Sequence, residues 1–307
     1  MRTRLFDRLC PGRRRPGSSP KSTIGLKFPE TPLILAGALG GPLVIFFLTP
    51  LRNALSIAAQ DSQSSASEIY GHVFENGLSA GWTGGMVAVP ASCPQFCVMG
   101  PFFHLVSQAS GSAVIATVVS AVAETVISFS SQTLNCQMAL MELRGGLSVP
   151  LQNRMIPLGP GATVHVIRNI VALSGIRIFS GPCQAGLEKV FRALGLGVPV
   201  GVRQLLGDFT ASLGSAVLSA PLNQMHGFAV CSAAYVNGGL WERVDVLTTF
   251  LSTSYLNHDA AGRVVGFTST LPRDLFLRCA YVATLFALFG SIERLAVLLW
   301  GRRSASR

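Results

Sequence analysis

The side chains able to do chemistry in this sequence are few, and their spacing argues against most chemistries. Seven cysteines stand at 10, 93, 97, 136, 183, 231 and 279, and none forms Cys-x-x-Cys. Cys93 and Cys97 can share a helix face, but no histidine sits nearby to complete a zinc site. His104, His165, His226 and His258 share no metal-ligand spacing. Neither a metal nor another cofactor is expected. Serine and histidine occur without a nucleophile elbow. The run Pro157-Leu158-Gly159-Pro160-Gly161 lacks the Gly-Lys-Ser/Thr ending of a phosphate loop and reads as a flexible connector. No enzyme signature remains, so the expectation is a non-enzyme. What is left is a few charges within apolar surroundings, Glu124 in the third apolar segment among them. Charges inside a membrane are costly and normally face a cavity. Glu124 also has serine and threonine neighbours that could satisfy it locally.

The elements that carry these charges must be largely apolar. Only 12% of the 307 residues are charged, and mean hydropathy is +0.47. A soluble domain carries roughly a quarter charged residues. Phe (18) far exceeds Tyr (4) and Trp (3), and Gly reaches 32. Helices in lipid can be apolar all round, and small residues let them pack closely. The net charge is +10, with arginines dense at both ends: Arg2, Arg4, Arg8, Arg13, Arg14 and Arg15, then Arg302, Arg303 and Arg307. Basic ends beside apolar runs suit anionic lipid head groups. Nucleic acid is not expected as a partner, because no basic face with interleaved aromatics is visible. The first twenty residues, with six Arg and only Asp7 as an acid, look somewhat like a mitochondrial transit segment. Their Pro and Gly fit a solvated or partner-bound tail at least as well.

Six apolar segments follow. They lie at Pro32–Ala59, Trp82–Val106, Ser112–Leu140, Pro182–Leu206, Phe209–Tyr235 and Phe267–Trp300. Several exceed the roughly 20 residues a spanning helix needs. A period of about 80 to 100 residues runs through them. The first odd segment ends in Thr49-Pro50-Leu51-Arg52-Asn53 and the fifth in Ala220-Pro221-Leu222-Asn223-Gln224. The third carries Phe129-Ser130-Ser131-Gln132, with Ser130 where proline would fall. A proline in such a span removes a hydrogen bond and kinks it. Even segments begin with a second signature, a glycine, an aromatic at the join and another glycine. The copies are Gly77 to Trp82-Thr83-Gly84, Gly175 to Phe179-Ser180-Gly181, and Gly262 to Gly266-Phe267. Each reads as a short surface helix whose chain turns back into the membrane. These helices are expected near residues 67–77, 164–175 and 245–258.

Together these motifs resemble the mitochondrial carrier family across about residues 32 to 300. Glu75-Asn76-Gly77 through Trp82-Thr83-Gly84 is similar to that family's second signature with one inserted Asn. The resemblance implies an all-α membrane protein of six transmembrane helices in three pseudo-threefold repeats, in the mitochondrial inner membrane. It implies a basic tail at 1–30 and repeats at 31–108, 109–208 and 209–307, with both termini on the intermembrane-space side. In the family, an acid and a base follow each proline and pair between helices to close the matrix side. Here those positions hold Arg52 and Leu55, Gln132 and Asn135, and Asn223 and His226. No carboxylate is among them. The charge pairs that the family carries near the ends of its even helices are also largely missing. By the family's register, seven residues past each second-signature glycine, the solute site falls at Ala91, Glu188 and Arg273, with Lys189 and Asp274 adjoining.

Two functions stay open. The first is a transport-degenerate accessory subunit of a larger inner-membrane assembly, such as a respiratory complex or ATP synthase. In that reading Glu188 and Arg273 bridge and lock the cavity, no solute is exchanged, and the partners are other subunits and membrane lipids such as cardiolipin. The second is a working carrier that exchanges a small charged or zwitterionic metabolite at that site.

Overall fold

The computed structural model describes residues 31–305. Among the described residues six helices are long and apolar enough to cross a membrane: Thr31–Ala58, Leu78–Ser110, Ala113–Glu142, Ala162–Ala193, Val200–Cys231 and Thr270–Trp300. These are spans 1 to 6, and they make the chain an all-α membrane protein apart from one small hairpin. Each span packs on its neighbour in sequence, and span 6 returns to pack on span 1, which closes a ring. The turns after spans 2 and 4 are short. The connectors after spans 1, 3 and 5 are longer and define the loop side; the opposite side is the terminal side.

Small residues allow the ring to close tightly, as helix association in lipid requires. Ala54, Ala88, Ala121, Ala139 and Ala216 are buried in its core. A Cβ at Gly41 would meet the Phe96 ring at 2.8 Å, and one at Gly40 would meet Ile292 at 2.7 Å. Phe96 and Phe289 then meet edge to face with centroids 4.5 Å apart, joining spans 2 and 6. Large apolar side chains such as Leu39, Phe47, Leu218 and Phe276 point outward, where a lipid environment accepts them. Pro50 and Pro221 lie inside spans 1 and 5. Wide helical turns interrupt span 1 at Ala36–Gly40, span 2 at Val98–Phe102 and span 4 at Gly175–Phe179.

The first copy of the second signature folds as the sequence implies. A surface helix, Ala66–Phe74, is capped by Ser65 and Glu68 in a reciprocal box. A tight turn, Leu78–Trp82, follows. Trp82 donates its indole N–H to the Phe46 carbonyl at 2.8 Å. Span 2 then enters its regular helix from Gly84, which is left-handed at φ 72. The third copy forms a surface helix, Leu240–Tyr255, and an antiparallel hairpin of Leu256–His258 with Val264–Phe267 before span 6 begins.

The second copy does not. Span 4 begins at Ala162, some twenty residues before the expected Pro182, and Gly161 is its left-handed cap at φ 94. The stretch expected as a surface helix, 164–175, is the first half of that span. Gly175 is helical, and a Cβ there would meet Ser215 Oγ at 2.3 Å, so this glycine serves close packing of span 4 on span 5. Span 5 consequently starts at Val200, so the expected repeat boundary at residue 208 falls inside a helix, and the chain breaks at 194–199 instead. The tail predicted for residues 1–30 lies outside the described residues.

Candidate functional site

A cavity of about 90 Å³ lies inside the ring, and all six spans contribute to its wall. Its polar lining includes Arg52, Gln95, Glu124, Gln132, Arg168, Asn169, Asn223, His226 and Arg278. Five of the six positions that follow Pro50, Ser130 and Pro221 line it: Arg52, Leu55, Gln132, Asn223 and His226. The sixth, Asn135, is buried beside it and donates to Asn53 Oδ1 at 3.1 Å and to the Thr83 carbonyl at 3.3 Å. Asn53 in turn donates to the Gly81 and Thr83 carbonyls, each at 3.0 Å. Spans 1 and 3 are thereby tied to the turn that opens span 2. Ser130 Oγ donates to the Asn153 carbonyl at 3.0 Å, fixing the connector after span 3.

Arg168 is the hub of the cavity wall. Its guanidinium donates to Gln132 Oε1 at 2.9 Å on span 3, to Asn169 Oδ1 at 3.0 Å, and to His165 Nε2 at 2.7 Å. A longer contact of 3.5 Å reaches Asn223 Oδ1 on span 5. Arg278 donates to the same oxygen at 3.0 Å and to Ser219 Oγ at 3.2 Å, and its guanidinium lies 6.0 Å from the Tyr281 ring centroid. Glu124 accepts from Gln95 at 2.7 Å, Ser128 at 2.7 Å and Gln132 at 3.1 Å, and also from Asn169. Its charge is thus satisfied from spans 2, 3 and 4. The Arg52 carbonyl accepts from Ser56 Oγ at 3.2 Å, but its guanidinium makes no hydrogen bond or ion pair to any described residue. His226 meets His165 edge to face with centroids 4.8 Å apart, and its Nε2 has no partner among the described residues.

The positions assigned by register fall elsewhere. Ala91 is not among the residues lining the cavity. Glu188 lies near the terminal-side end of span 4, partly exposed, and pairs with Arg192 at 3.0 Å and Arg203 at 3.5 Å. Lys189 beside it is exposed. Arg273 is buried in the first turn of span 6, where it pairs with Asp274 at 2.8 Å. It donates to the carbonyls of Ala58, Asp61 and Ser64, clasping the end of span 1. The Glu188–Arg273 bridge expected from sequence is therefore absent, because the misplaced second signature shifted Glu188 to the far end of its span. Counting seven residues from the glycine that does cap span 4, Gly161, gives Arg168. The other missed residue, Arg278, stands in the apolar run Leu275-Phe276-Leu277-Arg278-Cys279-Ala280-Tyr281. An unpaired arginine inside such a run was a legible signal.

Two inter-span ion pairs lie toward the terminal side. Arg177 on span 4 pairs with Glu293 on span 6 at 3.3 Å and donates to the Met99 carbonyl on span 2 at 2.9 Å. Asp208 on span 5 pairs with Arg294 on span 6 and accepts from Ser180 and Gln184 on span 4. All four partners are largely buried. Glu293 and Arg294 are adjacent on span 6, and each takes its opposite charge from another span.

No protein-family model and no curated protein matches the chain. Among the described residues no three His, Cys, Asp or Glu side chains gather to hold a metal ion.

Proposed function

We propose that this chain is a carrier-like translocator of a small anion, a divergent relative in design of the mitochondrial carriers, placed in the mitochondrial inner membrane. The observation that supports it best is the charge of the cavity. Three guanidiniums, Arg52, Arg168 and Arg278, line it against one carboxylate, Glu124. Glu124 already accepts four hydrogen bonds, so the excess positive charge is left for a ligand. In a low-dielectric interior such an excess favours an anion strongly. The two ends differ in chemistry. Inter-span ion pairs close the terminal side, and neutral amides with Arg168 close the loop side. An anion that draws Arg168 and Arg278 from Asn223 would loosen the loop side while leaving the ion pairs intact. That gives the ligand different affinities for two states, which translocation requires.

The test is uptake of radiolabelled phosphate, monocarboxylate and dicarboxylate anions by the purified full-length protein in liposomes, with a zwitterionic amino acid as control. At least one anion should be taken up and the zwitterion excluded, and Arg278→Gln should abolish the uptake. Absence of uptake for every anion would favour the second reading, an accessory subunit that has lost transport. One observation supports that alternative: no acid–base pair stands at the loop-side positions after Pro50, Ser130 and Pro221. Its own test is whether gently extracted protein migrates alone or within a large inner-membrane assembly.

A further inference from the structure

Cys136 on span 3 and Cys231, the last residue of span 5, are separated by 95 residues in sequence, yet their sulfurs lie 3.9 Å apart. Both are free and buried. Cys136 lines the cavity, so a small oxidant that enters the cavity meets its sulfur. Cys231 sits where the helix ends, since Ser232 is already extended at φ −95 and ψ 120. A disulfide requires the sulfurs to close to about 2.0 Å. The end of a helix can yield the remaining distance more readily than its middle.

We propose that Cys136 and Cys231 form a peroxide-responsive dithiol that staples spans 3 and 5 at their loop-side ends. The Cys136 thiolate attacks one oxygen of hydrogen peroxide and the O–O bond breaks. This yields a sulfenic acid at Cys136 and releases hydroxide, which takes up the thiol proton as water. The Cys231 sulfur then attacks the Cys136 sulfur, the S–O bond breaks, and a second water leaves. Two thiols and one peroxide become one disulfide and two waters.

The position gives the bond its consequence. Cys136 directly follows Asn135, which holds span 3 to Asn53 and Thr83. Gln137 on the other flank donates to the Val230 carbonyl at 2.8 Å, so the thiols sit within a joint already formed between spans 3 and 5. A covalent bond there would hold spans 3 and 5 together at the loop-side end of the ring, beside the contacts of Asn135 and Gln137. Formation of the bond is independent of the translocation reading; only its effect on uptake rests on it.

The experiment exposes purified full-length protein to hydrogen peroxide, blocks free thiols with N-ethylmaleimide, and digests without reductant for mass spectrometry. A Cys136–Cys231 peptide should be the dominant disulfide. It should vanish with dithiothreitol and in Cys231→Ser. Oxidation should raise the melting temperature of the natural chain and leave that of Cys231→Ser unchanged. In liposomes, oxidation should slow anion uptake and dithiothreitol should restore it. A disulfide with its thermal shift, but without uptake in either redox state, would uphold the staple and sink the translocation reading. Recovery of Cys136 and Cys231 as separately alkylated thiols or sulfinic acids, or disulfides formed elsewhere instead, would overturn the proposal on the natural chain alone.

Discussion

Arginine does two different jobs in this cavity, and the difference is testable. Arg168 is fully engaged, with donors spread over spans 3, 4 and 5. Truncating it removes the guanidinium that donates to the oxygens of Gln132 and buried Asn169, the same two side chains that donate to Glu124. Removing one member of such a buried polar network costs about 3–5 kcal/mol. Arg168→Ala should therefore lower the melting temperature sharply in detergent, and Arg168→Lys should not restore it, because one ammonium lacks the planar fork that spans these acceptors. The Arg52 guanidinium makes no such bonds to any described residue and is partly buried on the cavity wall. Arg52→Gln should leave stability within about 0.5 kcal/mol. It should raise the apparent KM for the transported anion about tenfold, equivalent to about 1.4 kcal/mol. A variant that melts early with unaltered KM would make Arg52 a structural residue instead.

Glycine is the feature at the element scale that both guided and misled. Gly84 and Gly161 open the regular helices of spans 2 and 4 in left-handed geometry that L side chains resist. Gly161→Ala combines that strain with a Cβ 3.1 Å from Val230 Cγ1. It should cost about 1–3 kcal/mol and loosen the start of span 4, read as faster amide exchange at residues 162–168. The first surface helix offers a pH probe. Backbone and side-chain hydrogen bonds from Ser65 hold the Glu68 carboxyl below its usual 4.5. A group whose folded pKa is depressed contributes stability that is present above its unfolded value and lost as pH falls through the folded one. Protection of Ala66–Phe74 should therefore fall selectively below about pH 4.5, and Glu68→Gln should remove that selectivity. Most of the spans and the first turn were legible because apolar length and turn-forming glycine act locally. The start of span 4 was not. A glycine that caps a helix and one that lets two helices touch look alike in sequence, and Gly175 is of the second kind. The cavity arginine at 168 was hidden by that single misreading, whereas Arg278 was plainly visible as a cation in an apolar run.

At the scale of the whole molecule, the ring is tied at both ends, but among the described residues arginine–carboxylate pairs between spans gather toward the terminal side. Arg177 and Glu293 belong to spans 4 and 6, which stand on opposite sides of span 5 in the ring, and Arg177 also reaches the span 2 backbone. Three even-numbered spans thus meet at one guanidinium. Its charge lies 5.2 Å from the centroid of the Phe103 ring, which adds a further hold on span 2. If this contact closes the terminal side, its strength depends on the pair rather than on either residue. Arg177→Ala leaves Glu293 largely buried without its cation, and Glu293→Gln leaves Arg177 without its anion. Each should destabilise the protein by about 3 kcal/mol. The double variant, with neither charge to strand, should lose less than the sum of the two. The coupling energy in a double-mutant cycle should be about 1–3 kcal/mol, read from thermal or denaturant unfolding in detergent. Each single variant should also raise labelling of Cys97 by a membrane-impermeant maleimide added from the terminal side, because that thiol is only partly buried on the neighbouring turn of span 2. Additive single effects, with no change in Cys97 labelling, would mean that the terminal side is held by packing alone and that its ion pairs are no gate.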